Sequence, residues 1–206
     1  MISCIHFIRH GITQGILNKW YYGWEDLPLV EEGLIEIENF KAEGVYPNSE
    51  GMHFYSSGML RANQTLETIY GSVPYKIISD LKEMNFGEWE CKTFNELKEL
   101  PGFDEWMNDK TGSFTFPGGE SANSFSMRTE KGLKELLGYH RLLELSNRHS
   151  KKDCISTVVC HGGVIAACMC HLLKLSPSVF WEWIPAAGRG YSVYFENGEV
   201  TKYKQL

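Results

Sequence analysis

An arginine, a histidine and a glycine follow one another at the end of an apolar run near the N-terminus, in the segment CIHFIRHGIT. The run has the character of a buried strand, and Arg9 and His10 stand where it ends. A second apolar run, residues 155–160, ends in His161-Gly162-Gly163. Because ligands bind at the carboxyl ends of the strands in open parallel sheets, neighbouring strands of this kind would bring His10 and His161 together.

Two further segments place reactive side chains in similar positions. In YSSGMLRANQT, Arg61 lies in the first turn of a helix that follows a strand, and in LKEMNFGEWE, Glu83 follows a strand pattern. A neutral imidazole is a nucleophile toward phosphorus, arginines bind phosphate oxygens, and a carboxylic acid can protonate a leaving oxygen. Each residue alone also has a structural interpretation. Together they predict phosphoryl transfer that needs no metal and no cofactor.

The elements that would position these side chains alternate along the chain. Short apolar runs predict strands at residues 2–8, 52–55, 75–78, 155–160 and 191–195, and helical patterns lie at 31–43, 60–70, about 121–148 and 164–175. Asn197-Gly198 predicts a hairpin turn. Continuous apolar strands between helices favour an α/β fold with a mostly parallel sheet. We expect one domain, residues 1–206, with an insertion or lid at about 80–120.

Composition limits the partners and the setting. The 206 residues carry a net charge of −6, which argues against nucleic acid as a partner. The six cysteines form no C-x-x-C pair and no signal peptide is recognisable, so we expect reduced thiols in a cytoplasmic protein. The apolar stretch 155–173 is interrupted by His161-Gly162-Gly163 and suits a strand and buried helix better than a membrane span. The expected partner is a small phosphorylated metabolite; a homodimer stays open.

The joint pattern resembles the histidine phosphatase superfamily, also called phosphoglycerate-mutase-like. The segments that carry the resemblance are FIRHGIT, YYGWEDLPLVEEG, YSSGMLRANQT, LKEMNFGEWE, FPGGES and VVCHGG. The resemblance implies a three-layer α/β/α sandwich with a mostly parallel central sheet and a helical insertion over the active site. It also implies that His10 becomes transiently phosphorylated, that Glu83 donates a proton, and that three further side chains complete the phosphate pocket. These three are Arg9, Arg61 and His161.

Further substrate contacts follow from the same resemblance, and the chain departs from the family pattern at some of these positions. Ile12 stands where the family usually has Glu or Gln, and Ile16 stands where an Asn usually contacts the phosphate. Asn18 could replace that Asn if the loop shifts. Cys91 stands where a Gly is often found, with either a packing role or a reactive thiol. The predicted substrate contacts besides the phosphate pocket are Thr13, Asn18, Tyr22, Gly23 and Gly162.

The family contains phosphatases and mutases. The short chain and the segment EMNFGEWE favour the phosphatase branch, with similarity to α-ribazole phosphatase-type proteins and α-ribazole 5′-phosphate as one candidate substrate. Three alternatives stay open: a phosphoglycerate mutase-type transferase, a catalytically weakened phosphate-binding protein, and a metal or redox protein. The last would use Cys160, His161, Cys168, Cys170 and His171. The aromatic insertion predicts a lid core, with one or two rings free to stack on a substrate.

Overall fold

A central sheet organises the protein in the computed structural model, which describes residues 2–150 and 152–206. The strands are β1 (Ser3–Arg9), β2 (Trp20–Tyr21), β3 (Met52–Ser56), β4 (Tyr75–Ile77), β5 (Lys92–Thr93), β6 (Cys154–Cys160), β7 (Gly190–Glu196) and β8 (Glu199–Gln205). Six of them form one sheet in the order β4-β3-β6-β1-β7-β8, while β2 pairs with β5 in a separate ribbon. The first four strands of the sheet are parallel; β7 runs antiparallel to β1, and β8 runs antiparallel to β7.

The pairing of β1 with β6 sets the position of the residues that follow them. The two strands are parallel, and Ser3 lies opposite Cys154 while Arg9 lies opposite Cys160. Both strands are buried along most of their length, as their continuous apolar sequences predicted. The chain therefore leaves both strands at the same level of the sheet, so that His10 and His161 become neighbours.

Helices cover both faces of the sheet and complete the predicted three-layer sandwich. The helices are α1 (Gln14–Leu17), α2 (Glu31–Ala42), α3 (Leu60–Tyr70), α4 (Phe94–Leu97), α5 (Phe103–Asn108), α6 (Ala122–Asn147) and α7 (Gly162–Leu172). Phe7 packs in a cluster with α6 and α7, whereas Ile8 packs in a second cluster with α2 and α3. This alternation follows from the two-residue period of a strand, and fully burying each such side chain contributes roughly 1.5–3 kcal/mol.

The segment between β4 and α6 contains the predicted insertion. It holds α4, α5, β5 and two short 3-10 turns, and the rest is irregular. Its aromatic side chains pack mainly against one another, as in Trp89 against Trp106, with ring centroids 5.7 Å apart. The insertion thus has a small aromatic core of its own, and its action as a lid stays a prediction. This core includes Tyr21, Phe86, Trp89, Leu97, Phe103, Trp106, Phe114 and Phe116.

Two features of the C-terminal part refine the predictions. Asn197 and Gly198 both have positive φ, 53° and 84°, and form the predicted hairpin turn between β7 and β8. Helix α7 begins at Gly162 rather than at Val164, because the chain turns directly into the helix after His161.

No helix in residues 2–150 and 152–206 combines the length and apolar character that crossing a bilayer requires.

Candidate active site

His10 and His161 meet at the carboxyl end of the parallel strands, as the sequence predicted. The backbone amide of His10 donates to the carbonyl oxygen of Cys160 at 3.0 Å, which continues the pairing of β1 with β6 by one residue. The two imidazole rings have centroids 5.2 Å apart. Both side chains are buried, with exposures of 3% and 0%. Two imidazoles therefore share one site that is largely closed to bulk water.

Hydrogen bonding determines which nitrogen of His10 carries the proton. Its Nδ1 lies 2.8 Å from the carbonyl oxygen of Gly11. Because a carbonyl can only accept, Nδ1 must donate, and Nε2 keeps a free lone pair. Burial, followed by the positive charges of Arg61 and Arg9, holds the pKa of His10 well below its usual range. The neutral and nucleophilic form of this imidazole is therefore favoured at neutral pH.

His161 differs from His10 because it can present an N–H donor to the site. Its Nε2 lies 2.9 Å from the hydroxyl oxygen of Ser57. When Ser57 donates this bond, the ring proton of His161 resides on Nδ1. Burial and then the charge of Arg61 hold the pKa of His161 well below its usual range. The ring can thus provide an N–H group without carrying a charge.

The two predicted arginines are anchored by backbone carbonyls, and each keeps a buried, unpaired Nε–H. Arg61 is fully buried, and its Nη2 and Nη1 donate to the carbonyl oxygens of Gly23 at 2.7 Å and Glu25 at 3.0 Å. Arg9 Nη1 donates to the carbonyl oxygen of Pro185 at 2.7 Å. Both Nη atoms of Arg61 and Nη1 of Arg9 are therefore held by the protein, while Nε of each arginine is not engaged by any described residue.

Unpaired donors distinguish this site from an ordinary protein interior. Within residues 2–150 and 152–206, Arg9 Nε, Arg61 Nε and His161 Nδ1 are buried nitrogens without a hydrogen-bond partner. Leaving a buried polar group unpaired costs about 1–3 kcal/mol, more for a charged one. Three such groups belong to neighbours of His10, since the His161 ring lies 5.2 Å away between centroids and both arginines act electrostatically on His10. Together they predict a ligand that is rich in acceptor oxygens and negatively charged, as a phosphate group is.

Glu83 reaches the same cluster from the start of the insertion. Its Oε2 accepts from the backbone amide of Gly163 at 2.9 Å, and its Oε1 accepts from its own neighbour Met84 at 3.0 Å. A Cβ on Gly163 would lie 2.6 Å from Oε1, so glycine is needed for this approach. The charge of Glu83 also raises the pKa of Arg61, against the larger lowering effect of burial. The carboxyl group thus lies against the start of α7, within electrostatic reach of Arg61.

The sequence matches one protein family along nearly its whole length. The model of the histidine phosphatase superfamily (branch 1) matches residues 5–203, which is nearly the whole chain. The chain belongs to this superfamily. The match spans both histidines, both arginines and Glu83, and it confirms the resemblance that the sequence motifs indicated.

Similar curated proteins include both phosphatases and mutases. An adenosylcobalamin/alpha-ribazole phosphatase from Escherichia coli (strain K12) is 26% identical over 186 residues, covering 85% of this chain and 82% of the relative. A 2,3-bisphosphoglycerate-dependent phosphoglycerate mutase from Bradyrhizobium diazoefficiens is also 26% identical, covering 82% of this chain and 81% of the relative. Identities at this level are consistent with membership of the superfamily and with relatives of the phosphatase type. They do not identify the substrate.

Solved structures share the fold. The crystal structure of a putative alpha-ribazole-5′-P phosphatase from Escherichia coli superposes with a TM-score of 0.79 at 23% identity, covering 98% of this chain and 94% of that one. A phosphoglycerate mutase from Thermus thermophilus gives a TM-score of 0.66 at 24% identity, covering 98% and 99%. These similarities confirm the histidine phosphatase fold, with a mostly parallel sheet between helical layers.

The other predicted substrate contacts of this superfamily member differ in their surroundings. The hydroxyl of Thr13 lies 2.6 Å from that of Tyr22, and the guanidinium carbon of Arg61 lies 5.0 Å from the centre of the Tyr22 ring. A Cβ on Gly162 would lie 3.1 Å from Arg9 Nε. These positions border the arginines. Their roles as substrate contacts stay predictions, as does that of Gly23, whose carbonyl binds Arg61.

The structure shows the surroundings of Asn18 and of the three positions, 12, 16 and 91, at which the chain departs from the family pattern. Asn18 is exposed at the end of α1, where its Oδ1 accepts from Gln14 Nε2 at 2.9 Å, so its hydrogen bond lies within α1. Ile16 and Ile12 are partly buried apolar side chains. Cys91 has a positive φ of 59°, a conformation that glycine adopts more easily. The glycine often found there in the family thus has a conformational explanation.

The cysteine-rich stretch around α7 does not gather metal ligands. Within residues 2–150 and 152–206, no three His, Cys, Asp or Glu side chains are grouped so that they could hold a metal ion. Cys160 and Cys168 are buried, and burial raises the pKa of both thiols, to about 12 for Cys168. The protonated thiols pack in the core between the sheet and α7.

Sequence reasoning missed the residues that support the predicted site. Ser57 binds His161, and Arg128 on α6 donates from Nη2 to the carbonyl oxygen of Glu83 at 3.1 Å. Arg128 also forms a two-pronged pair with Glu120, with both N–O distances 2.7 Å. Ser57 had a weak signal as a small residue at the end of a strand. Arg128 had none, because its partners are distant in sequence and are mostly backbone atoms.

Proposed function

We propose that this superfamily member is a phosphomonoesterase that acts on a small phosphorylated metabolite through a phosphohistidine intermediate at His10, without a metal. The observation that carries the proposal is the set of three buried unpaired donors on residues that neighbour His10. These are Arg9 Nε, Arg61 Nε and His161 Nδ1, which have no acceptor within residues 2–150 and 152–206. A bound phosphate group supplies the acceptor oxygens that these donors lack.

In the first step, His10 Nε2 attacks phosphorus while the bond between phosphorus and the leaving oxygen breaks. The protonated carboxyl of Glu83 gives its proton to that oxygen, so an alcohol leaves and phosphohistidine remains. The negative charge spread over the equatorial oxygens is stabilised by the two guanidinium groups and by the N–H of His161.

In the second step, water attacks the phosphorus of the phosphohistidine. The carboxylate of Glu83 takes a proton from this water, the bond between nitrogen and phosphorus breaks, and inorganic phosphate leaves. His10 returns to its neutral form and Glu83 to its protonated form. The sum of both steps is hydrolysis of one phosphate ester, with no change in the enzyme.

The proposal is tested by measuring phosphate release from an aryl phosphate, with and without a chelator. We expect activity that the chelator leaves unchanged and that His10→Ala abolishes. In the wild type, rapid quenching should trap phosphate that is stable to alkali and labile to acid, as expected of a phosphohistidine. Turnover that persists in His10→Ala would exclude this mechanism.

The substrate is addressed by a screen of phosphorylated metabolites. α-Ribazole 5′-phosphate is the first compound to include, because the Escherichia coli relative at 26% identity is named for that activity. Equal turnover of all small phosphate esters would argue against a dedicated role for this compound.

A mutase is the second candidate, favoured by the Bradyrhizobium mutase of equal identity. A mutase would return the phosphoryl group of His10 to a sugar acid instead of to water. Incubation with phosphoglycerates decides between them: release of inorganic phosphate supports the phosphatase, and isomerisation of the ester without release supports the mutase. A phosphate-binding protein with weakened catalysis, for which Ile16 argues, would bind phosphate and turn over neither substrate.

A further inference from the structure

Glu90 accepts an unusual number of backbone hydrogen bonds. Its Oε2 accepts from the amides of Gly23 at 2.8 Å and Glu25 at 3.2 Å, and its Oε1 accepts from Trp24 at 2.9 Å and Phe86 at 2.9 Å. Three of these four donors are consecutive residues of the loop after β2, and the fourth belongs to the insertion. One carboxylate therefore ties residues 23–25 to the segment in which it lies.

The same loop holds Arg61 from its other side. The carbonyl oxygens of Gly23 and Glu25 accept from Nη2 and Nη1 of Arg61. The peptide group between Gly23 and Trp24 thus donates its N–H to the carboxylate of Glu90 and accepts, through its C=O, from the guanidinium. An anion and a cation at opposite ends polarise this peptide in the same direction, so the two hydrogen bonds strengthen each other.

The loop also touches the segment that carries the predicted proton donor. A Cβ on Gly23 would collide with the carbonyl oxygen of Met84, so the two backbones lie in direct contact. The indole nitrogen of Trp24 donates to the carbonyl oxygen of Glu83 at 3.0 Å. A displacement of residues 23–25 would therefore move the support of Arg61 and disturb the neighbourhood of Glu83.

We infer that Glu90 is a positioning residue of this site. Its carboxylate fixes residues 23–25 so that both Nη atoms of Arg61 stay bound to the protein and Nε remains available for the phosphate group. The inference rests on the proposed phosphatase function. A purely structural role, in which Glu90 only holds the insertion through Phe86, makes a different prediction.

The first experiment replaces the carboxylate with an amide in Glu90→Gln. Each oxygen of Glu90 accepts from two amides, so either orientation of the glutamine places an NH₂ group against two N–H groups. We expect kcat/KM to fall on the order of 10²-fold, the loss that a misplacement of about 1 Å can cause. Glu88→Gln is the matched control, because Glu88 is a nearby exposed glutamate, and it should stay within about twofold of wild type.

A double-mutant cycle separates positioning from structural support. If Glu90 acts through Arg61, then Glu90→Gln should cause little further loss of kcat/KM in an Arg61→Ala background. If Glu90→Gln lowers kcat/KM by the same factor in the wild-type and Arg61→Ala backgrounds, the inference is overturned. Thermal unfolding of each variant checks the fold. If Glu90→Gln does not fold, Glu90→Asp, which shortens the side chain and keeps its charge, enters the same cycle.

The cycle also distinguishes this inference from the proposed function. If Arg61→Ala keeps wild-type turnover and wild-type affinity for inorganic phosphate, the proposed function fails. If Arg61→Ala loses both while Glu90→Gln matches the wild type, only the role of Glu90 is refuted.

Discussion

The two ends of the candidate site are built in different ways. The phosphate end consists of His10, His161 and Arg61, which are 3%, 0% and 0% exposed and follow β1, β6 and β3 in the chain. The acid end, Glu83, lies partly exposed on an irregular segment and is held by hydrogen bonds to backbone amides and by Arg128. The phosphate end thus inherits its geometry from the sheet, whereas the acid end depends on a few polar contacts.

The first prediction separates the two ends chemically. Glu83→Gln removes the proton donor and leaves the phosphate end intact. We expect kcat to fall about 10²- to 10⁴-fold for alkyl phosphates, whose leaving oxygen needs a proton, and much less for dinitrophenyl phosphate, whose leaving group does not. His10→Ala should abolish turnover of both. Steady-state kinetics on the two esters checks this; an equal loss in Glu83→Gln would show that Glu83 is not the acid.

The second prediction removes the support of the acid end. Arg128→Ala takes away the donors to the carbonyls of Asp80, Lys82 and Glu83 and leaves the carboxylate of Glu120 without its cationic partner. Both side chains of the pair are about 15% exposed, so we expect a loss of stability of about 3 kcal/mol.

The control for Arg128→Ala is Arg141→Ala, because Arg141 is 57% exposed and also pairs with a glutamate. It should cost about 0–1 kcal/mol. Urea unfolding measures both variants. In folded Arg128→Ala, turnover of alkyl phosphates should fall more than turnover of dinitrophenyl phosphate. Equal stability losses in the two variants would contradict the proposed support of Glu83.

The same contrast explains what the sequence could predict. His10 and His161 were predictable because each directly follows a long apolar strand, and parallel pairing brings such ends together. Arg61 was predictable from its place at the start of α3. The contacts of Glu83 and Glu90 were not, because their partners are mainly backbone atoms of residues distant in sequence. Every residue except proline has a backbone N–H group, so hydrogen bonds from backbone donors leave no pattern in the sequence. The contacts at this end of the site can therefore be found only from the structure.

The third prediction concerns pH. Burial lowers the pKa of His6 to about 4 and holds those of His10 and His161 well below their usual range. Histidines in the unfolded chain have a pKa of about 6.5. Below that pH the unfolded chain therefore binds more protons than the folded chain. Stability should be fully present above about pH 6.5 and fall toward about pH 4, by about 3 kcal/mol for His6 alone.

Urea unfolding across this range tests the pH prediction. His6→Gln should reduce the slope of stability against pH, and His53→Gln, at an exposed histidine, should not. Activity should behave differently from stability, because His10 stays unprotonated in the folded protein. As the pH falls, we expect no loss of kcat/KM centred at about pH 6.5. A loss centred there would show that the nucleophile titrates as an exposed histidine does.

The smallest effect is expected at Cys91, which follows Glu90 in the chain and whose backbone amide donates to the carbonyl oxygen of Tyr21. Its φ of 59° strains a residue with a Cβ by about 1–2 kcal/mol, whereas glycine adopts this conformation freely. Glycine also gains about 0.4–1 kcal/mol of entropy in the unfolded chain, so Cys91→Gly should stabilise the protein by only about 0.5 kcal/mol. Cys91→Val should destabilise it, because a β-branched side chain tolerates this conformation poorly. Thermal unfolding measures both, and a loss of kcat/KM in Cys91→Gly would show that the thiol itself contributes to the site.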